Sequence, residues 1–221
     1  LSWGAQGEQY LADHGNPVPC RRIGYPAIDH LRGSLPPAPA RGRALVLPYS
    51  VDTEGFVNMS GCVYGGLIET VETLRRHGFN DIRVKIHPGA LYNRDYYARV
   101  LGLLDEPVEI IHGNGHLPDH LAWADIVVGP IVSSSTVETL AAGRPYFPVL
   151  YQPSVNEPRY AAGLDLVGGG GDLARGLSEG QRHDRGAVLE YLCSADSIPN
   201  ASAEFWNAME DAPAPHSRCA A

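Results

Sequence analysis

Three stretches of the 221-residue chain hold residue types that do chemistry at positions where a fold can use them. The serine-rich stretch GPIVSSSTVE (129–138) has the plainest use. A helix N-terminus presents unpaired N–H groups and a partial positive charge, so it holds phosphate. Ser133, Ser134, Ser135 and Thr136 add up to four hydroxyl donors at such a terminus. The same residues also read as a helix cap, with Ser135-x-x-Glu138 as a capping box, although capping needs one serine rather than three and a threonine. The second stretch is VKIHPG (84–89). Pro88 restricts His87 to extended geometry and Gly89 stops the strand, which fixes an imidazole at a strand edge, as a ligand contact or as a strand cap. The third is SVDTEGF (50–56), which carries Asp52, Glu54 and Gly55 just past an apolar run.

What must position these residues is a set of alternating strands and helices. RALVLPY (43–49) has the length of a buried strand. Val63, Leu67, Ile68, Val71 and Leu74 form a helical stripe over 63–77, ended by Gly78. Ile82, Val84 and Ile86 alternate with charged residues as a strand. The pattern predicts a helix over 92–104, a strand at 107–111, a helix from Pro118 to about Ala124, a strand at 125–129, a helix closed by Gly143 and a strand at 145–150. Such alternation implies an α/β fold, a Rossmann-like doubly wound parallel sheet with helices on both faces. In that architecture ligands bind beyond the carboxyl ends of the strands. All three chemical stretches follow predicted strands, so the fold gathers them along one edge. GGGGD (168–172) reads as a flexible loop without dinucleotide-binding spacing, and helices are expected over 184–193 and 202–210.

At this point the sequence resembles a known group. SSSTVETLAAGRP resembles the donor-binding signature of GT-B glycosyltransferases, in which a Ser/Thr-rich loop meets a helix of the form E-x-L-x-x-G-x-P. The resemblance implies that Glu138 holds the ribose hydroxyls of a sugar nucleotide, a reach consistent with its place one turn inside the helix; the alternative is that Glu138 only completes the capping box. VKIHPG resembles the His-Pro motif of bacterial sialyltransferases and of related Kdo and teichoic-acid polymer transferases, where it also precedes a serine pair. That implies a hydrogen bond from His87 to the donor phosphate, with the option of general acid catalysis. The same families carry two acids followed by glycine upstream of His-Pro, one acid being the base that activates the acceptor. Here Asp52-Thr53-Glu54-Gly55 departs from that pattern, since Thr53 replaces the first acid. Glu54 is the first candidate base, Asp52 the second, and an ordinary polar turn the alternative to both.

The resemblance covers roughly residues 20–150 and implies the C-terminal, donor-binding half of a GT-B fold. The expected donor is a nucleotide-activated sugar, by motif order a CMP-sugar of sialic acid or Kdo type, with UDP-sugars open. The expected acceptor is a surface polysaccharide. CDP-alditol phosphotransfer and a nucleotide-binding domain without turnover are the alternatives. The backbone around Gly115–Leu117, with His116, is expected to edge the nucleobase. Tyr151, Asn156 and Arg159 are sugar-contact candidates without a specific signal, and Trp3, Trp123 and Trp206 are expected in core or inter-domain packing. The opening segment lacks an initiator Met and reads as a helix in progress. The expected division is therefore residues 1–31 as the tail of an acceptor-side domain or a linker helix, 32–42 as a linker, 43–200 as the nucleotide-sugar-binding domain and 201–221 as a terminal helix and tail. An acceptor domain is expected upstream.

Composition narrows the rest. With 17 Lys+Arg against 25 Asp+Glu the net charge is −8, and no basic stripe exists to displace counterions from a nucleic acid. Cys20, Cys62, Cys193 and Cys219 make no C-x-x-C pair and read as reduced thiols in a cytoplasmic protein. His112, His116 and His120 are spaced four apart, but HGNGHLP breaks a helix there, so no metal site and a metal-independent reaction are expected. No apolar run approaches the roughly 20 residues of a membrane span. Peripheral association with the inner membrane face is compatible with that.

Overall fold

Five short strands make one sheet in the order β3-β2-β1-β4-β5, every neighbouring pair parallel. They are β1 (Arg43–Val46), β2 (Asp81–Lys85), β3 (Glu109–Ile111), β4 (Ile126–Gly129) and β5 (Tyr146–Pro148). This computed structural model describes residues 1–16, 18–32, 35, 42–48, 60–88, 94–112, 116–131, 133–149 and 163–211. Asp52, Glu54, Gly55, Gly115, Tyr151, Asn156 and Arg159 lie outside the described residues.

The strand order reverses direction between β1 and β4, and right-handed crossovers then assign the helices to faces. Helices α2 (Ser60–Arg76) and α3 (Arg94–Leu101) cover one face, packing Val63, Leu67, Val71, Leu74, Tyr97 and Leu101 onto Ala44, Val46, Ile82 and Val84. Helices α4 (Leu117–Trp123) and α5 (Ser134–Ala141) cover the other, where Leu121, Val137 and Leu140 meet Leu45, Val127 and Tyr146. Doubly covered strands bury both faces, which accounts for the near-continuous apolar runs of β1 and β4.

The remaining helices are α1 (Ala5–Asp13), α6 (Gly170–Glu179), α7 (Arg185–Cys193) and α8 (Ala201–Glu210). The N-terminal residues pack on the same body. Ile28, in a 3-10 turn at Pro26–Ile28, joins the core beneath α5 and α7. Asp29 accepts the N–H groups of Ala201 (3.2 Å) and Ser202 (2.8 Å) and so caps α8. Among the described residues no helix is long and apolar enough to cross a membrane.

Three expectations change. The glycine run at 168–172 is not a loop throughout: α6 begins at Gly170, where a Cβ would sit 2.7 Å from Glu69 Cγ. Glycine there lets α6 approach α2, and Asp172 in its first turn suits the helix dipole. The helix expected over 92–104 ends at Leu101, with Gly102 in the turn that follows. The capping box also lies two residues earlier than Ser135-x-x-Glu138. Ser133 is the N-cap, in extended backbone, and Thr136 is its partner, because threonine's hydroxyl reaches back to the Ser133 N–H at 3.2 Å.

Candidate functional site

Gly129 ends β4 where Tyr146 crosses behind it. A Cβ on Gly129 would lie 2.8 Å from the Tyr146 hydroxyl, so only glycine allows that approach. Tyr146 donates to the Pro130 carbonyl, and its hydroxyl lies 3.1 Å from Thr136 Oγ1. Buried Thr136 in turn donates to Pro130 O (3.0 Å). This buried triangle fixes the turn that sends the chain into α5.

At the tip of α5 the four hydroxyls divide by role. Ser133 Oγ accepts the Thr136 N–H (3.2 Å) and sits 2.7 Å from Ser135 Oγ. Thr136 is thus an internal strut and not a surface donor. Ser134 is exposed, and the N–H groups of Ser134 and Ser135, in the first turn, have no intrahelical acceptor. The helix terminus therefore keeps backbone donors and a partial positive charge for an anion.

One turn further, Glu138 is freed from capping by Thr136. Its Oε1 accepts the hydroxyl of Tyr25 at 3.2 Å. Burial raises the Glu138 pKa above the usual carboxylate range, opposed by the Tyr25 hydrogen bond and by the charges of His30, His116 and Lys85. Tyr25 is braced in its turn by Trp3, with ring centroids 4.2 Å apart. Burial and the neighbouring Glu138 raise the tyrosine's pKa, which keeps its O–H a donor at neutral pH.

His87 lies just past β2, exposed, and the strand's pairing runs up to it: the Ile86 N–H donates to Ile111 O at 3.1 Å. Pro88 follows, half-buried. Strands β2 and β4 flank β1, so two strand spacings, about 10 Å, separate the ends that carry His87 and the serines. His116 is the N-cap residue of α4, exposed, with Nδ1 3.7 Å from Asp119 Oδ2. Ser133, Ser134, Ser135, Glu138, His87 and His116 thus all belong to the carboxyl-end edge of the sheet.

Residues not singled out in the sequence also contribute. Lys85 is buried at the end of β2, and Tyr25 arrives from outside the sheet. The signal for Lys85 was its place on an interior strand of a sheet covered on both faces, where a lysine has no solvent to reach. Tyr25 carries no comparable signal. Trp123 is half-buried, with the Arg83 guanidinium 3.9 Å and the Arg43 guanidinium 5.6 Å from its ring centroid. Trp3 and Trp206 are 45% and 65% exposed, so neither is in the core.

With the geometry in place, the comparisons with known proteins bear on it. No family model matches the chain, and no curated protein matches it. Solved structures do. A putative UDP-N-acetylglucosamine 2-epimerase from Listeria monocytogenes matches at TM-score 0.55 and 14% identity over 97% of this chain and 61% of that one. The Methanocaldococcus jannaschii UDP-GlcNAc 2-epimerase, in complex with UDP-GlcNAc and UDP, matches at 0.56 and 14% over 90% and 58%. The Neisseria meningitidis UDP-GlcNAc 2-epimerase, bound to UDP-GlcNAc, matches at 0.55 and 15% over 93% and 59%. At such identities the likeness is one of fold, and it agrees with the Rossmann-like α/β sheet. The chain spans about three fifths of the length of each of these structures.

Proposed function

We propose that this chain is the nucleotide-sugar-binding half of a GT-B glycosyltransferase. The observation that carries the reading is the pairing, next to the point where strand order reverses, of an open helix tip at Ser134–Ser135 with a carboxylate one turn deeper at Glu138. A phosphate at the tip and a ribose diol at the carboxylate are separated by about that one turn of helix. His87 donates to the phosphate as negative charge grows on the departing nucleotide. Glu54, or else Asp52, is the base toward the acceptor hydroxyl. Gly55, Pro88, Gly115 and His116 complete the donor contacts. The reaction needs no metal, and the acceptor is a polysaccharide presented by an upstream domain. The order of His-Pro and serine motifs favours a CMP-sugar donor.

A second reading is a UDP-sugar enzyme, and the fold likeness to UDP-GlcNAc 2-epimerases favours it. Titration calorimetry and thermal shift with CMP, CDP, UDP and GDP separate the two, because a ligand that binds only the folded state raises its stability. Tightest binding of CMP supports the first reading. Tightest binding of UDP supports the second. No stabilisation by any of the four sinks both.

A further inference from the structure

The sheet ends in two edge strands, and they are finished differently. On β5 the Pro145 carbonyl and the Val149 N–H face β4, so positions 146 and 148 turn their backbone groups outward. Pro148 has no N–H to offer, and its carbonyl accepts the Val167 N–H at 2.9 Å. The Tyr146 carbonyl accepts the side-chain amide of Gln181. A proline, a short extra pairing and a side-chain cap close that edge to further strands.

Strand β3 carries no such guard. Its register pairs Arg83 with Glu109 and Lys85 with Ile111, and Ile111 O accepts the Ile86 N–H at 3.1 Å. Residues 109 and 111 thus turn their backbone groups toward β2. Ile110 turns its N–H and C=O outward, where among the described residues neither has a hydrogen-bond partner. The strand's apolar side chains are also incompletely covered. Val108, Ile110 and Ile111 are half-buried, whereas Val46, Val84 and Val128 on the interior strands are fully buried. Alongside lies an open apolar cavity of about 300 Å³, lined by Ala98, Leu101, Gly102, Leu104, Val108 and Ile110. Leu103, between two of these lining residues, is 74% exposed.

Charge does not guard this edge either. Glu109 is held by Arg83 at 2.7 Å, and Glu106 lies 3.6 Å from Arg75. Arg75 also donates to the carbonyls of Glu106 (2.6 Å) and Pro107 (3.1 Å), which fixes the turn that enters β3. The edge is therefore ordered before anything binds to it, which lowers the cost of association.

We propose that this edge is a contact between two copies of the chain, in which β3 of a second copy adds antiparallel to β3 and joins the two sheets into one. A two-fold axis makes the addition antiparallel. Ile110 is the outward residue of the strand, so the axis passes beside it, and Ile110 of each copy exchanges N–H···O=C bonds with Ile110 of the other. In that register Glu109 stands opposite Ile111 of the second copy, so like charges do not meet face to face. Val108 and Ile110 share the face that α3 covers, and the added strand brings the same two side chains up to the cavity. The proposal rests on the fold alone and is independent of the nucleotide-binding reading.

Two main-chain hydrogen bonds and this apolar contact make less than the about 800 Å² per partner of a standard interface, so the dimer forms at on the order of 10–100 μM. Sedimentation velocity and amide hydrogen exchange of the whole chain across that range are the test. The mass is expected to double with concentration, and exchange at the Ile110 amide to slow in step with it. Leu103→Lys changes an exposed side chain and leaves the fold intact, and it weakens the dimer by about tenfold or more. Ile110→Pro removes the outward N–H, spares the rungs to β2 and abolishes the dimer. A chain that stays monomeric throughout overturns the proposal. So does a dimer that Leu103→Lys leaves unchanged and in which the Ile110 amide exchanges as fast as in the monomer, because the contact then lies elsewhere. Should Ile110→Pro fail to fold, Leu103→Lys and the exchange measurement decide.

Discussion

The Tyr25 hydroxyl donates to Glu138 Oε1 at 3.2 Å, joining a residue of the N-terminal segment to α5 across 113 positions of sequence. The segment before the sheet therefore does more than lead into it. Trp3 packs against Tyr25, Tyr25 donates to Glu138, and Glu138 lies one turn inside the helix whose tip keeps backbone donors.

Tyr25→Phe removes this hydrogen bond and the hydroxyl's contact with Ser134, while the ring can still pack against Trp3. Nucleotide affinity is expected to fall about three- to tenfold, in line with about 1 kcal/mol for one hydrogen bond to a carboxylate. The thermal midpoint should move by a few degrees at most. Calorimetry alongside a melting curve checks both, and an unchanged affinity would detach Tyr25 from the site.

Glu138 and Lys85 together give stability a definite pH signature. The folded-state pKa of Glu138 is raised, chiefly by burial, so the native state binds that proton more tightly than the unfolded chain does. The stabilisation is full below the ordinary carboxylate range and is lost as pH rises through the raised value. Lys85 is lowered, chiefly by burial, so its contribution has the same arithmetic at the other end: present above the ordinary lysine range and lost as pH falls through the lowered value. Glu138→Gln should therefore be more stable than the wild type at pH 7 to 8, and the gap should close toward pH 4. Paired melts at each pH cancel the other carboxylates. A gap that stays constant across that range would mean Glu138 titrates normally.

The doubly wound sheet was legible in the sequence because β1 and β4 are near-continuous apolar runs, β2 alternates apolar with charged residues, and two of its helices end in glycines that take left-handed backbone, Gly78 at φ 86° and Gly143 at φ 77°. The serine-rich turn into α5 was legible too. Its internal wiring was not, since Thr136 outcompetes Glu138 for the capping role by a hydroxyl geometry that residue types alone do not decide. The start of α6 was missed because glycine runs signal loops, whereas Gly170 is fixed by Glu69 and Thr73 on a helix about a hundred residues upstream. Tyr25 was invisible for the same reason: its partner is distant in sequence.

The serines at the tip of α5 should separate by role. Ser133→Ala removes the N-cap and is expected to lower stability by about 1 kcal/mol, seen in denaturant or thermal unfolding. Ser134→Ala with Ser135→Ala leaves the cap and should instead weaken nucleotide binding by about 1–3 kcal/mol. If the double variant binds as the wild type does with its fold intact, the loop is a helix cap and no more.

His87 supplies the last test. It stands at the first position beyond the paired part of β2, exposed, with Pro88 restricting its backbone. Across β1 from it lies the turn that Tyr146 and Thr136 fix, so the strand end that carries His87 and the helix tip lie on either side of β1. A donor in that place matters most when the nucleotide leaves and its phosphate gains charge. In sugar-transfer assays, His87→Ala should lower kcat and kcat/KM together by on the order of 10²–10³, the size of losing one donor to developing charge. A rise in KM alone would mean that His87 binds substrate and transition state equally. If His87 also gives up a proton, the rate falls on the alkaline side as the ring loses that proton, and a donor with a better leaving group partly rescues the alanine variant. A variant with the wild-type alkaline limb and no such rescue would restrict His87 to a hydrogen bond. One with undiminished turnover would return it to capping the strand.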